Sequence, residues 1–98
     1  MRLKSYREEL IFRLRNPRYA AAYLEEVLVT QDNAAFLIAL RDVIEATGGM
    51  AAVAGQAKLK RPSLYKILSR KGNPTLATLR DILEPLGLRF AVTARKAA

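Results

Sequence analysis

Local stop signals cut this chain into short segments, and between stops the apolar residues recur at helical spacing. Ser5 followed by Glu8 has the spacing of a capping box, and Tyr6, Leu10 and Leu14 recur every four residues, so a first helix is predicted to about Arg13. Asn16-Pro17 closes it and opens the next, because Asn accepts from free amides and Pro is preset for the first helical position. Ala20, Leu24, Val27 and Leu28 then draw a stripe ending near Thr30. Asp32 caps a third helix with Phe36, Leu37, Leu40, Val43, Ile44 and Thr47 inward, and Gly48-Gly49 stops it. A fourth helix, over Met50 to Ala57, sets Met50, Val53, Ala54 and Ala57 on one side. Lys58-Leu59-Lys60 is the break before a fifth, which opens at Pro62, turns Leu64, Ile67 and Leu68 inward, and ends at Gly72-Asn73-Pro74. Thr75 caps a sixth with Leu76, Leu79, Ile82, Leu83 and Leu86 inward. Pro85 lacks an amide proton, so this helix ends or kinks near Leu83. The pattern predicts an all-α fold: a single compact helical domain of about six helices.

Past Gly87 the period changes. Leu88, Phe90 and Val92 alternate with Arg89, Ala91 and Thr93, the signature of a short, half-buried C-terminal strand. Such a strand has no partner in a helical chain, which leaves pairing with a second copy, pairing with another protein, or lying extended. The expected organisation of residues 1–98 is N-terminal helices over 1–47, a pair of short helices with the helix that follows over 48–87, and a strand or tail over 88–98.

At 98 residues with 51 % hydrophobic side chains, the chain can bury one core without a staple. It has no cysteine and no histidine, which removes disulfides, thiolate zinc sites, Ser-His-Asp triads and histidine acid-base chemistry. No enzyme activity and no cofactor are expected. The start of the chain, Met1 to Lys4, is basic, but no apolar run of signal or membrane length follows, so the expected location is cytoplasmic with no membrane partner.

The net charge of +8 is unevenly placed: seven Lys/Arg and no carboxylate lie between Glu45 and Asp81, whereas residues 1–45 hold seven of each sign. A one-sided basic field over a short helix, a tight break and a second helix predicts a helix-turn-helix reader of duplex DNA. Ala54, Leu59, Leu64 and Ile67 fall at the offsets where such a motif needs buried residues, leaving Arg61, Pro62, Tyr65, Lys66 and Ser69 outward. Arg can hold guanine through O6 and N7, Lys can reach guanine or phosphate, and Tyr can meet phosphate or a thymine methyl. Arg61, expected at the N-cap, has no side-chain acceptor, so free amides flanked by Lys58, Lys60 and Arg61 form a candidate phosphate site. A second is the turn before the sixth helix, with Arg70, Lys71, Asn73 and Thr75. Ser63 completes the set; neither it nor Ser69 has a neighbouring base that would make it a nucleophile. One such motif covers a half-site, so a homodimer on a pseudo-palindromic operator is expected.

In this order and spacing, NPRYAAAYLEEVL, AAFLIALRDVIEATGGMAAVA and RPSLYKILSRKGNPTLATLRDILEPLGLRF resemble the addiction-module antidote proteins, HigA-like antitoxins with a lambda-repressor-like helix-turn-helix. The likeness covers about Asn16 to Phe90. It implies an antitoxin that neutralises a RelE/ParE-like toxin encoded beside it and represses their shared operon as a dimer, with Arg61, Ser63, Tyr65 and Lys66 in the recognition helix. Lys58 stands where such motifs favour Gly, Lys60 where a Ser or Thr cap is common, and Pro85 inside a helix the family tends to continue. Toxins of this kind are generally basic, which makes Glu8, Glu9, Glu25, Glu26 and Asp32 the candidate toxin surface. Two other readings stand beside this one: a stand-alone, phage-type transcriptional repressor, and a nonspecific basic protein of RNA or the nucleoid.

Overall fold

The computed structural model describes residues 5–95; the basic start, residues 1–4, and residues 96–98 lie outside them. Six α-helices follow one another: α1 (Tyr6–Arg13), α2 (Pro17–Val29), α3 (Asn33–Ala46), α4 (Met50–Gln56), α5 (Arg61–Ile67) and α6 (Leu76–Leu83), the last running into a 3-10 turn at Glu84–Leu86. The start signals act as read. Ser5 Oγ accepts from the Glu8 amide at 3.1 Å, Asn16 Oδ1 from Arg18 at 2.9 Å, Asp32 Oδ1 from Ala35 at 3.0 Å and Thr75 Oγ1 from Thr78 at 3.1 Å. Each such cap stabilises its helix by about 0.5–2 kcal/mol.

The core is organised around α3, whose Phe36, Leu37, Ala39, Leu40, Val43 and Ile44 are all buried. Helices α1, α2 and α4 pack on it, α5 packs on α4, and the 3-10 turn closes against α4. Leu14, Leu24, Val53, Leu64, Leu68, Ile82 and Leu86 complete one apolar cluster. A polar clasp joins the first three helices: Arg7 pairs with Asp42 at 3.1 Å and with Glu45, and the Tyr23 hydroxyl donates to Asp42 at 3.2 Å. The hydrogen bond to Asp42, then that to Glu45, raises the Arg7 pKa; burial, then the Asp42 charge, pushes the Tyr23 phenol up. Among the described residues no helix is long and apolar enough to cross a membrane.

Several expectations need correction. Tyr6 and Leu76 turn outward, 87 % and 54 % exposed. Each is the first residue of its helix, where no earlier turn packs beneath the side chain. Leu28, expected in the α2 stripe, is 51 % exposed. Thr47 is exposed beyond the end of α3, and its hydroxyl donates to the Val43 carbonyl. The fifth helix stops at Ile67, well before Gly72, and its N-cap is Lys60 rather than Arg61. No strand forms among the described residues. Leu88 packs on the core, but Phe90 is 38 % exposed and Val92 fully exposed; the segment borders a hollow with α2, and no second strand among the described residues supplies a ladder.

Two helix ends turn through the left-handed region at a residue other than glycine, Gln31 (φ 60°) after α2 and Lys58 (φ 58°) after α4. At Lys58 the geometry is a Schellman close, with the Leu59 amide donating to Ala54 O at 2.8 Å and Lys58 to Gly55 O at 3.2 Å. A left-handed non-glycine residue costs about 1–2 kcal/mol. Glycine loses more chain entropy on folding, so the net gain of Lys58→Gly should be about 0.5–1 kcal/mol. Thermal unfolding should show a rise in Tm of several degrees; an unchanged or lowered Tm would mean that the lysine side chain supports the turn by contacts worth as much as the strain.

Candidate nucleic-acid interface

Helix α5 is seven residues long and is anchored by Leu64, which is fully buried, with Leu68 buried just past its end. Ala54 on α4 is buried, and Leu59 and Ile67 are half-buried against the core, so the offsets read from sequence do correspond to inward positions. That arrangement forces the rest of α5 outward. Arg61, Pro62, Ser63, Tyr65 and Lys66 are exposed, as is Lys60 at the cap, and no carboxylate lies on this helix. The Lys60 side chain makes no cap hydrogen bond.

The remaining candidates divide. Lys58 is exposed and lines a hollow with Asp81 and Glu84. Arg70 lines another with Tyr23, Asp32 and Asp42, between α2 and α3. Ser69, expected on the outer face of α5, lies beyond the helix end and is half-buried, with its hydroxyl donating to Lys66 O at 2.8 Å. Thr75 is exposed, but its hydroxyl caps α6 and also donates to Thr78 Oγ1 at 3.0 Å. Lys71 and Asn73 are exposed in the connection between α5 and α6.

Tyr65 is the centre of a feature that the charge count did not reveal. The Arg61 guanidinium lies 5.8 Å from its ring centroid, and that of Arg41, from α3, lies 5.5 Å away. Both distances are in cation-π range. Arg41 sits in the electrically neutral first half of the chain, where neither motif nor periodicity marked it out. Its position in FLIALRDV, one residue past the buried Leu40, was the only signal.

The acidic candidates lie on three different helices. Glu8 and Glu9 occupy the first turn of α1, and Glu9 accepts from Arg13 Nε at 3.1 Å. Asp32 is spent on the α3 cap. Glu25 and Glu26 are exposed on α2, and Glu25 lines an apolar hollow with Leu28, Val29, Phe36 and Phe90.

Among known proteins, the chain is 40 % identical over 70 residues to an uncharacterized protein of Haemophilus influenzae (strain Rd), an alignment that covers 71 % of each chain. No solved structure matches it. Residues 8–94 match the family model described as "Probable addiction module antidote protein". That match runs from the first turn of α1 through the whole core and past the 3-10 turn, and on it the chain belongs to the family of probable addiction module antidote proteins.

Proposed function

We propose that the protein is a DNA-binding antitoxin of a type II toxin-antitoxin module, which captures a basic, RelE/ParE-like toxin and represses the operon that encodes both. The observation that carries the DNA half is α5: a short helix anchored by buried Leu64 that turns Arg61, Tyr65 and Lys66 outward with no carboxylate among them. Read with α4 and the Lys58 turn, this is a helix-turn-helix of the lambda-repressor kind. Side chains on such a face can reach base edges while flanking lysines meet phosphates. Lys60, Lys71 and Asn73 are exposed phosphate contacts; Lys58 and Arg70 are exposed too but border hollows that also hold carboxylates, and so contribute less. One reading helix spans a half-site, so the working unit is a homodimer. The exposed Phe90 and Val92 in the tail are its candidate contact. The family match favours this reading over a stand-alone, phage-type repressor.

In a gel-shift titration on the duplex upstream of its own coding sequence, Arg61→Ala should cost about 1–3 kcal/mol and relax specificity at one position. Lys71→Ala should weaken all sequences alike and flatten the salt dependence. Unchanged operator binding by Arg61→Ala would exclude this face.

The toxin half rests on family membership and on α2, where Glu25 and Glu26 border exposed Leu28 and Val29. A basic partner with an apolar contact fits that surface, and the α5 face stays free for DNA. Reversing Glu25 and Glu26 to Lys should weaken capture of the neighbouring gene product and spare operator binding. Loss of operator binding with capture intact would reverse the two assignments.

A further inference from the structure

We propose that Arg41 of α3 is a phosphate contact of the DNA-binding face, and that the Tyr65 ring positions Arg41 and Arg61 as a pair. The inference rests on the DNA-binding reading of α5 and extends it to a residue outside the paired short helices. Two guanidinium groups that share one aromatic ring repel each other, at 5.5 and 5.8 Å from its centroid. The ring's negative face attracts each cation but does not cancel its charge.

Arg41 forms no ion pair with a carboxylate of the described residues. Asp42 and Glu45, which line the same hollow as Arg41 and Tyr65, are both engaged by Arg7. Arg41 has no ion pair of its own among the described residues, so the guanidinium donors of this half-buried side chain remain open to an external anion. A phosphodiester suits a planar guanidinium, which can donate to two of its oxygens at once. Tyr65 therefore acts through its ring: the cation-π contacts restrict the arginines before the anion arrives, which lowers the ordering cost of binding.

The test is fluorescence anisotropy of the full chain on the upstream duplex and on a mixed-sequence duplex, over a salt series. Arg41→Ala should weaken both complexes about three- to tenfold and reduce the slope of log K against log salt by about 0.9, one phosphate's share. Arg41→Lys should keep the slope while losing affinity, because it retains the charge and loses the planar guanidinium that can donate to two phosphate oxygens. Tyr65→Phe, which keeps the ring, should lose less affinity than Tyr65→Leu whatever contact the hydroxyl itself makes with DNA. Tyr65→Leu should weaken binding, and adding Arg41→Ala to it should cost less than in the wild type.

An unchanged affinity and slope for Arg41→Ala, beside a flattened slope for Arg61→Ala, would overturn the proposal and leave the α5 reading intact. Equal losses for Tyr65→Phe and Tyr65→Leu would show that the hydroxyl acts, overturning the positioning role of the ring. Failure of the wild type to bind either duplex would instead remove the α5 reading, and this inference with it. Circular dichroism melts accompany each variant, and Arg41→Gln gives the same readout if Arg41→Ala does not fold.

Discussion

Leu64→Ala should remove about 2–5 kcal/mol of stability, the usual range for emptying a fully buried leucine site. Domains of this kind hold about 5–15 kcal/mol in all, so the loss takes a large part of the margin. The site is chosen by anatomy: Leu64 is the only residue of α5 itself that is buried, and at seven residues the helix is too short to persist without packing. Its removal should therefore free α5 before it loosens α3, whose six buried residues remain in place. Urea unfolding would give the size of the effect. Amide exchange would give its place, with the protection of α5 falling first. Ser63→Ala, one position away and exposed, is the control and should stay within about 0.5 kcal/mol. Equal destabilisation by the two, or uniform loss of protection across α3 and α5, would contradict the view that Leu64 is the anchor of the reading face.

That anchor was legible in the sequence for a simple reason. Helix starts and inward stripes are local properties: a Ser, Asn, Asp or Thr two or three residues ahead of an amide, and an apolar residue every three or four positions, settle both without reference to the rest of the chain. Ser5, Asn16, Asp32 and Thr75 all cap as expected. What the sequence concealed is non-local. Periodicity gives the direction in which Tyr6 and Leu76 would point but not that the neighbouring body ends before it reaches them. Alternation at Leu88 to Val92 gives a strand's surface pattern without the second strand that a ladder requires. The charge count had the same limit. It gave the sign of the segment but not which carboxylates the fold brings near it: Lys58 borders a hollow with Asp81 and Glu84, and Arg70 one with Asp32 and Asp42. It also left Arg41 among the neutral residues, although the fold brings it to Tyr65. In short segments cut by clear stops, the elements are written locally; a functional face assembled from two of them is not.

Gly72→Ala should be the most disruptive single change in the connection between α5 and α6. The cause is space rather than backbone sign, since Gly72 does not adopt a positive φ. Helix α5 stops at Ile67, and the chain folds back over its carboxyl end so closely that a Cβ on Gly72 would lie 1.8 Å from the Ile67 carbonyl oxygen and 2.7 Å from its carbon. The Ser69 carbonyl oxygen, 3.1 Å from the same point, closes the other side, and the Gly72 amide is tied to it by a 2.9 Å hydrogen bond. The obstacles are backbone atoms and cannot rotate away as a flexible side chain would. Either the end of α5 or the turn must shift, at a cost of about 2–3 kcal/mol or more. Thermal and urea unfolding should both record the loss. On the proposed DNA-binding role, the turn carries Lys71 and Asn73 as phosphate contacts, so duplex affinity should fall with it, even at temperatures where the variant is folded. Gly55→Ala is the matched comparison: a Cβ there meets nothing within 4 Å, and in a helix alanine is the better residue by about 1 kcal/mol. If Gly72→Ala melted like Gly55→Ala, the close return of the chain over Ile67 would be refuted, and with it the fixed placement of Lys71 and Asn73 beside α5.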